Sequence, residues 1–382
     1  MASRVPSIAI IRQRYNPYGG AERIVTNILQ ELAASGAAVN LITRHWDPGS
    51  IFTPRVVDPF YVGRLWRDWS FSRAVSRLVH KGGFDLAQAN EKIPGCDVYR
   101  AGDGVHREWL RQRARVAGPA ERLWLRFSPY HRFVLSQERS LYLDPRLKAV
   151  ICISRMVEAD IRRHYQVPDA KLRVIYNGVD SEHFRPEGAL HRRAVRSALA
   201  IPEDAALFLF VGSGYARKGV PALLEAFNGL PPGAHLVIIG KDKRLHHCRS
   251  LAEYMGCGAR VRFLGGVDDV RPYYNAADVF VLPTLYEPFG SVVLEAMACG
   301  LPVITSETCG AAELLQAGET GFVCDALDVT SLQQHMARLL DTELARRMGE
   351  AARGVAETMT LKKMADEMMQ LYTTLLRQVG DP

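Results

Sequence analysis

The chain is missing several motifs that would each have named a chemistry. No Asp-x-Asp triplet occurs in its 382 residues, so the short acidic pair that clamps a divalent cation onto a diphosphate is absent. The seven cysteines are odd in number, scattered and never spaced Cys-x2-Cys, which argues against a disulfide framework and against structural zinc. They read as reduced thiols, with Cys152 and Cys299 in apolar runs as core packing. No apolar run approaches the ~18 residues of a membrane-spanning helix. Near the N-terminus, Ser7-Ile8-Ala9-Ile10-Ile11 is only strand-length and stops at Arg12, so no signal-peptide core is expected and the chain should stay in the cytoplasm. Low-complexity tracts and short-period repeats are absent as well.

What is present is a long alternation of strand and helix patterns. Strands are expected at 8–11, 39–42 and 149–153, with helices at 21–35 and after Ser154. A second series begins near His191, with strands at 207–211, 235–239, 261–264, 279–282 and 303–305. The chain is too long for one ordinary core, and alternation of this kind implies two doubly wound parallel sheets. The expected fold class is therefore α/β, with two Rossmann-like domains at 1–186 and 187–360, a closing helix within 361–382, and strand C-termini facing a central cleft.

The most informative stretch is Glu287-Pro288-Phe289-Gly290-Ser291-Val292-Val293-Leu294-Glu295, which joins the strand at 279–282 to a helix. Pro288 favours a first helical position, and the amides of Phe289, Gly290 and Ser291 at a helix tip suit a diphosphate. Glu287 then lies outside the helix, near whatever the phosphates carry, and Glu295 has two oxygens suited to a vicinal diol such as a ribose. Two solvated acids on a capped surface helix are the plainer reading, but 291–298 is apolar nearly all round and would half-bury Glu295.

Gly212-Ser213-Gly214-Tyr215-Ala216-Arg217-Lys218-Gly219 also follows a strand and opens a helix. It departs from Gly-x-Gly-x-x-Gly at Arg217, and the next strand ends without an acid for a nicotinamide ribose, which disfavours an NAD-dependent oxidoreductase. Adjacent Arg217 and Lys218 fit a leaving diphosphate better, because negative charge grows there as its bond to a sugar breaks. In the first domain, the twin glycines Gly19 and Gly20 permit close backbone approach to a phosphate or sugar.

These residues resemble the E-x7-E signature and basic loop of retaining, nucleotide-sugar-dependent glycosyltransferases of family four, which have the GT-B fold. The likeness extends over most of the chain, including the turn-rich Asn177-Gly178-Val179-Asp180 segment, the Gly19-Gly20-Ala21-Glu22-Arg23 loop and a terminal helix at 361–377 that in such enzymes crosses back to the first domain. The resemblance implies a UDP-sugar donor, with Glu287 on the hexose, Phe289 to Ser291 on its hydroxyls and phosphate, Glu295 on the ribose, and Arg217 and Lys218 rather than a metal ion on the diphosphate. No cofactor is implied. Asp97 to His106, preceded by Glu91-Lys92-Ile93-Pro94-Gly95, looks like the branch that glucosylates inner-core heptose of lipopolysaccharide. There the acid at Asp103 is the favoured active-site carboxylate, and His106 stays open as the alternative.

Charge is unevenly distributed. The formal net charge is +7, and the stretch 106–146 holds nine arginines against four acids, interleaved with aromatic and leucine residues. Trp109, Arg111, Arg113, Arg115, Arg122, Trp124 and Arg126 suit adsorption to an anionic membrane surface, which would place the enzyme peripherally on the inner face of the cytoplasmic membrane. Nucleic acid would accept the same basicity but is not expected, since the implied acceptor is a phosphorylated glycolipid. Transfer of glucose from UDP-glucose to heptose is the expected function. Another family-four hexosyltransferase, a GT-B sugar-nucleotide epimerase, and a non-catalytic membrane or nucleic-acid adaptor are the alternatives.

Overall fold

A computed structural model of the chain describes residues 6–13, 38–45 and 54–380. Gly19, Gly20 and the helix expected at 21–35 lie outside the described residues. Two compact units are formed, one from residues up to Asn177 together with those from Leu361 onward, the other from Gly178–Thr360.

The first unit contains seven strands, β1 (Ser7–Ile11), β2 (Ala38–Thr43), β3 (Arg55–Val56), β4 (Leu86–Ala89), β5 (Val98–Arg100), β6 (Ala149–Cys152) and β7 (Leu172–Val174). They pair in parallel in the order β3-β2-β1-β4-β5-β6-β7. Successive side chains alternate between faces. Ile8 and Ile10 join Leu41, Leu86, Val98 and Ile151 on one face, whereas Ala9 and Ile11 join Ile42, Ala87 and Ala89 on the other. Phe71 and Val75 of the helix Gly63–His80 cover the second face. The first is covered by the closing helix Leu361–Gly380, whose Met364, Met368, Leu371, Tyr372 and Leu375 recur at helical spacing and form one apolar stripe.

The second unit contains β8 (Ala206–Val211), β9 (Ala234–Ile239), β10 (Val261–Gly265), β11 (Val279–Leu282), β12 (Val303–Ser306) and β13 (Gly321–Cys324), all parallel in the order β10-β9-β8-β11-β12-β13. Its central strands are apolar throughout because both faces are buried, as in Leu207-Phe208-Leu209-Phe210-Val211. In each sheet the order reverses next to the first strand, between β1 and β4 and between β8 and β11. Loops at the C-terminal ends of such strand pairs are where open α/β sheets place ligands.

Two expectations are revised. The division falls at Asn177/Gly178 and not after Pro186, because 178–186 is built into the second unit: Val179 N–H donates to the Met359 carbonyl at 2.8 Å, and Phe184 sets its edge against Tyr274. Pro288 does not start a helix. The helix begins at Ser291 with Gly290 as its N-cap, because Glu287 and Phe289 first pair with 308–311 through Glu287 N–H to Thr308 O, Gly310 N–H to Glu287 O and Ala311 N–H to Phe289 O.

Met368 is 1% exposed in the contact between the closing helix and the first sheet. Met368→Ala is expected to lower the stability of the first unit by about 2–5 kcal/mol, read as a shift in its denaturant midpoint without a change in slope. An unchanged midpoint would show that the helix contributes little to that unit.

Candidate active site

The two loops at the β8/β11 reversal carry most of the residues singled out in the sequence. Arg217 and Lys218 follow β8, Glu287 follows β11, and the loops meet closely because Gly219 has no side chain. Its φ is +77°, and an added Cβ would stand 1.8 Å from the Pro283 carbonyl oxygen. Backbone bonds fasten the contact, with Leu285 N–H and the Thr284 hydroxyl both donating to the Arg217 carbonyl, at 2.8 and 3.2 Å. On the far side of the first loop, Asp242 Oδ2 accepts from the N–H groups of Gly214 and Tyr215, each at 2.8 Å.

This framework brings both cations onto one carboxylate oxygen. Glu287 Oε2 lies 2.9 Å from Arg217 Nη1 and 3.0 Å from Lys218 Nζ, and Arg217 Nη1 also donates to the Tyr286 carbonyl at 2.9 Å. Lys218 is 10% exposed and Glu287 16%, while Arg217 at 35% is the most open of the three. Burial pushes the Glu287 carboxyl upward, but the combined charge of Lys218 and Arg217 outweighs it and holds the group below the usual carboxylate range. The pair's contribution to stability is thus present above the ordinary carboxylate pKa and lost as pH falls through the lowered value. Two cations to one acid leave the cluster with a single net positive charge, and Glu287 lies beside Gly290, the N-cap of the helix Ser291–Ala298.

Glu295 is half-buried on that helix and accepts from the Tyr274 hydroxyl at 3.0 Å. Tyr274 is fully buried, its own pKa pushed up by burial and then by Glu295, so it stays protonated and donates to that carboxylate. This orienting tyrosine was not found from the sequence, nor was Asp242. Phe289 is a core side chain, and its carbonyl accepts from Ala311 N–H at 2.7 Å and from the Cys309 thiol at 3.2 Å.

The remaining site residues belong to the first unit. Asp103 is exposed in a turn just after β5. His106 opens the helix His106–Val116, whose first amides are capped by a carboxylate from elsewhere: fully buried Glu138 accepts from His106 N–H at 2.7 Å and Arg107 N–H at 3.3 Å. The imidazole Nε2 of His106 lies 3.1 Å from His131 Nδ1, and its ring stacks on Trp109. Burial, then Lys92, His131 and Arg64, pull its pKa down to about 3. One imidazole must donate and the other accept, so the two rings cannot both be protonated while this contact holds.

Among the residues singled out for the membrane, Trp109 is half-buried beside His106, and Arg113 lies over both Trp109 and Trp124. Arg111 pairs with Glu108, Arg113 with Glu121, Arg115 reaches Gln112, and Arg122 donates to the Ala114 carbonyl. Arg126 lies over Phe127, and Val116, Leu123, Trp124, Phe127 and Leu143 are the exposed large apolar residues of 106–146, with Phe60, Val62, Leu65, Trp66 and Trp69 exposed at and before the start of Gly63–His80. No helix among the described residues is long and apolar enough to cross a membrane, and no cluster of three or more metal-ligating side chains is found among them.

Two all-parallel α/β units, with two cations and an acid at the switch point of the second, define a glycosyltransferase of the GT-B class. Comparison with known families agrees: residues 18–183 match the family model for Glycosyltransferase Family 4 and residues 191–355 that for Glycosyl transferases group 1, so that together they span most of the chain, which belongs to these glycosyltransferases. The lipopolysaccharide glucosyltransferase WaaG of Escherichia coli is 27% identical over 96% of this chain and 98% of its own. The lipopolysaccharide core biosynthesis glycosyltransferase LpsE of Rhizobium meliloti is 32% identical over 47% of this chain and 52% of its own. Among solved structures, WaaG superposes with a TM-score of 0.82 over 95% of this chain and 99% of its own at 27% identity. The sucrose-phosphate synthase of Thermosynechococcus elongatus does so at 0.79, over 98% and 100%, at 26% identity.

The depressed pKa of His106 has a definite sign. The unfolded chain takes up this proton near the ordinary histidine value, the folded chain only near 3, so stability falls as pH drops from about 6.5 and His106 contributes nothing above that. The C2–H resonance of His106 should therefore hold still between pH 8 and 5 in an NMR titration. A midpoint near 6.5 would mean that the imidazole is solvated and free to charge.

Proposed function

We propose that the protein transfers a hexose, glucose from UDP-glucose, to an inner-core heptose of lipopolysaccharide with retention of anomeric configuration and without a metal ion. The observation that carries this reading is the joint grip of Arg217 and Lys218 on Glu287 beside the tip of Ser291–Ala298. The diphosphate sits against the two cations and the helix amides, the hexose against Glu287, and the ribose diol against Glu295, which Tyr274 orients. As the acceptor hydroxyl oxygen bonds to the anomeric carbon, the bond from that carbon to the diphosphate breaks. The electron pair goes to the phosphate oxygen, which also receives the hydroxyl proton. Fixed cations stabilise the charge that grows there, and because they are already in place no reorganisation is needed during the reaction.

The glucose donor and heptose acceptor are supported by the likeness to WaaG along nearly the whole of both chains, and by the Asp97 to His106 stretch. Asp103 is the carboxylate assigned to the reacting centre; His106, neutral and already engaged with His131, is a weak base and the second choice. Incubation with labelled UDP-glucose and heptose-terminated lipopolysaccharide should give a labelled glycolipid. Lys218→Ala should lower turnover mainly, and Glu295→Ala should weaken UDP binding by about 1–3 kcal/mol. If Glu295→Ala binds UDP as wild type does, the ribose assignment is wrong.

The acceptor's lipid anchor calls for a membrane-facing surface, and peripheral association with the inner face of the cytoplasmic membrane is part of this reading. It is supported by exposed Leu123, Trp124 and Phe127 alternating with Arg122 and Arg126, an arrangement that seats rings among headgroups and cations over phosphates. In co-sedimentation, binding to vesicles rich in anionic lipid should exceed binding to neutral ones and fall in Trp124→Ala/Phe127→Ala. Equal, weak recovery with both lipids would remove this surface from the reading.

A further inference from the structure

The strand order of the first sheet reverses between β1 and β4, and the side chains at that seam present two acceptor atoms that the proposed reaction does not use. Asn90, the residue after β4, is 3% exposed. Its backbone N–H and its Nδ2 both donate to the Ile11 carbonyl at the end of β1, each at 3.1 Å. That commits the amide nitrogen and fixes the orientation of the side chain, since a flipped amide would set oxygen against oxygen. Asn90 Oδ1 is buried and has no hydrogen-bond partner among the described residues.

Glu91 repeats the pattern one residue on. Its Oε1 accepts from Gln13 N–H at 2.8 Å and lies 3.6 Å from Arg12 Nη1, whereas Oε2 is buried with no hydrogen-bond partner among the described residues. A desolvated acceptor with nothing to accept costs about 1–3 kcal/mol, and two on adjacent residues at a sheet's switch point need a physical reason. The chemistry of the missing partner follows from the kind of atom left over. Both are acceptors, so a fully ionised phosphate, which brings only acceptors, cannot complete them, and a group with neighbouring hydroxyl donors can.

We infer that Asn90 and Glu91 form a hydroxyl-reading subsite in the first unit that holds a polyhydroxylated acceptor sugar. This rests on the glycosyl-transfer reading above and names the residues that select its acceptor. The charges around Glu91 agree with it. Arg12 at the end of β1 is the facing cation, and Asp103 from the loop after β5 and Asp68 from Gly63–His80 are the facing anions. Burial raises the carboxyl to about 7 against the pull of Arg12 and of the Gln13 N–H. Above that value Oε2 is a pure acceptor; below it the group takes a proton and that capacity is halved, so sugar binding should strengthen as pH rises through 7.

The test titrates the full-length protein with two probes, UDP and the heptose-terminated oligosaccharide released from truncated lipopolysaccharide. Wild type should bind the oligosaccharide more tightly at pH 8 than at pH 6. Glu91→Gln, which keeps the shape, should bind it roughly tenfold more weakly at pH 8 and lose the pH dependence. Asn90→Ala should weaken it similarly, and neither change should alter UDP binding. A purely structural role would instead move the unfolding midpoint and leave the pH profile of binding intact. Oligosaccharide affinities equal to wild type in both variants, or no oligosaccharide binding by wild type, would overturn the inference. Oligosaccharide binding of the expected pattern without any UDP binding would instead sink the nucleotide-sugar reading while this subsite stands.

Discussion

The second unit is organised around one unfavourable act, the withdrawal of the Glu287 carboxylate from water. Burial alone would drive that group toward its neutral form, and it stays charged because Arg217 and Lys218 both reach the same oxygen. Those cations arrive there only because the loop after β8 lies directly against the loop after β11, at a spacing that leaves no room for a side chain at residue 219. Removing Glu287 would leave two adjacent cations, Lys218 largely buried, without their counter-charge, a costly state. The cluster is therefore both a structural joint between two loops and a charged surface with one positive unit to spare. A diphosphate entering beside it would compete with Glu287 for the cations, so the ion pair that fastens the apoprotein is also a reserve of positive charge for an anionic ligand.

Much of this was legible in the chain because it depends on short-range order. Strands β1, β2, β6 and β8 to β12 are apolar runs ended by turn residues, and the loop bearing Arg217 and Lys218 announces itself by glycine and charge after a strand. Strands β3, β4, β5, β7 and β13 were not anticipated, for local reasons. β3 is two residues long, β4 contains Gln88, β5 ends in Arg100, β7 carries Arg173, and β13 opens on Gly321. Polar residues inside buried strands break the pattern that betrays a strand. Distant partners engage them: the Tyr372 hydroxyl donates to Gln88 Oε1, and Arg100 donates to Asn177. Partners separated in sequence by 284 and 77 residues cannot be inferred from periodicity.

The same limit applies to the residues that orient the site. Tyr274 reaches Glu295 across 21 positions and Asp242 holds the amides of Gly214 and Tyr215 from 28 and 27 positions away. Glu138 caps the helix at His106 from 32 positions away. Each is an ordinary residue in an ordinary helix or loop until the fold delivers it. The residues singled out for the second unit's site lie in two short stretches of the chain, 217–218 and 287–295, whereas those that hold them in place come from wherever the topology supplies an atom.

The two switch points differ in a way that follows from the charges they carry. At the second sheet the surplus is cationic, with Arg217 and Lys218 against one acid, which suits a ligand whose charge becomes more negative as its bond breaks. At the first sheet the surplus is of hydrogen-bond acceptors, Asn90 Oδ1 and Glu91 Oε2, with Asp103 exposed in the turn after the neighbouring β5. Buried acceptors of this kind are not completed by a fully ionised phosphate and are completed by hydroxyl donors. Exchanging the two sets would place carboxylates on a growing anion and bare cations on neutral hydroxyls, and neither would help transfer. We propose that one half receives a leaving anion and the other reads an incoming alcohol, and the polar atoms left at the two reversals, cations after β8 and acceptors after β4, agree with that division.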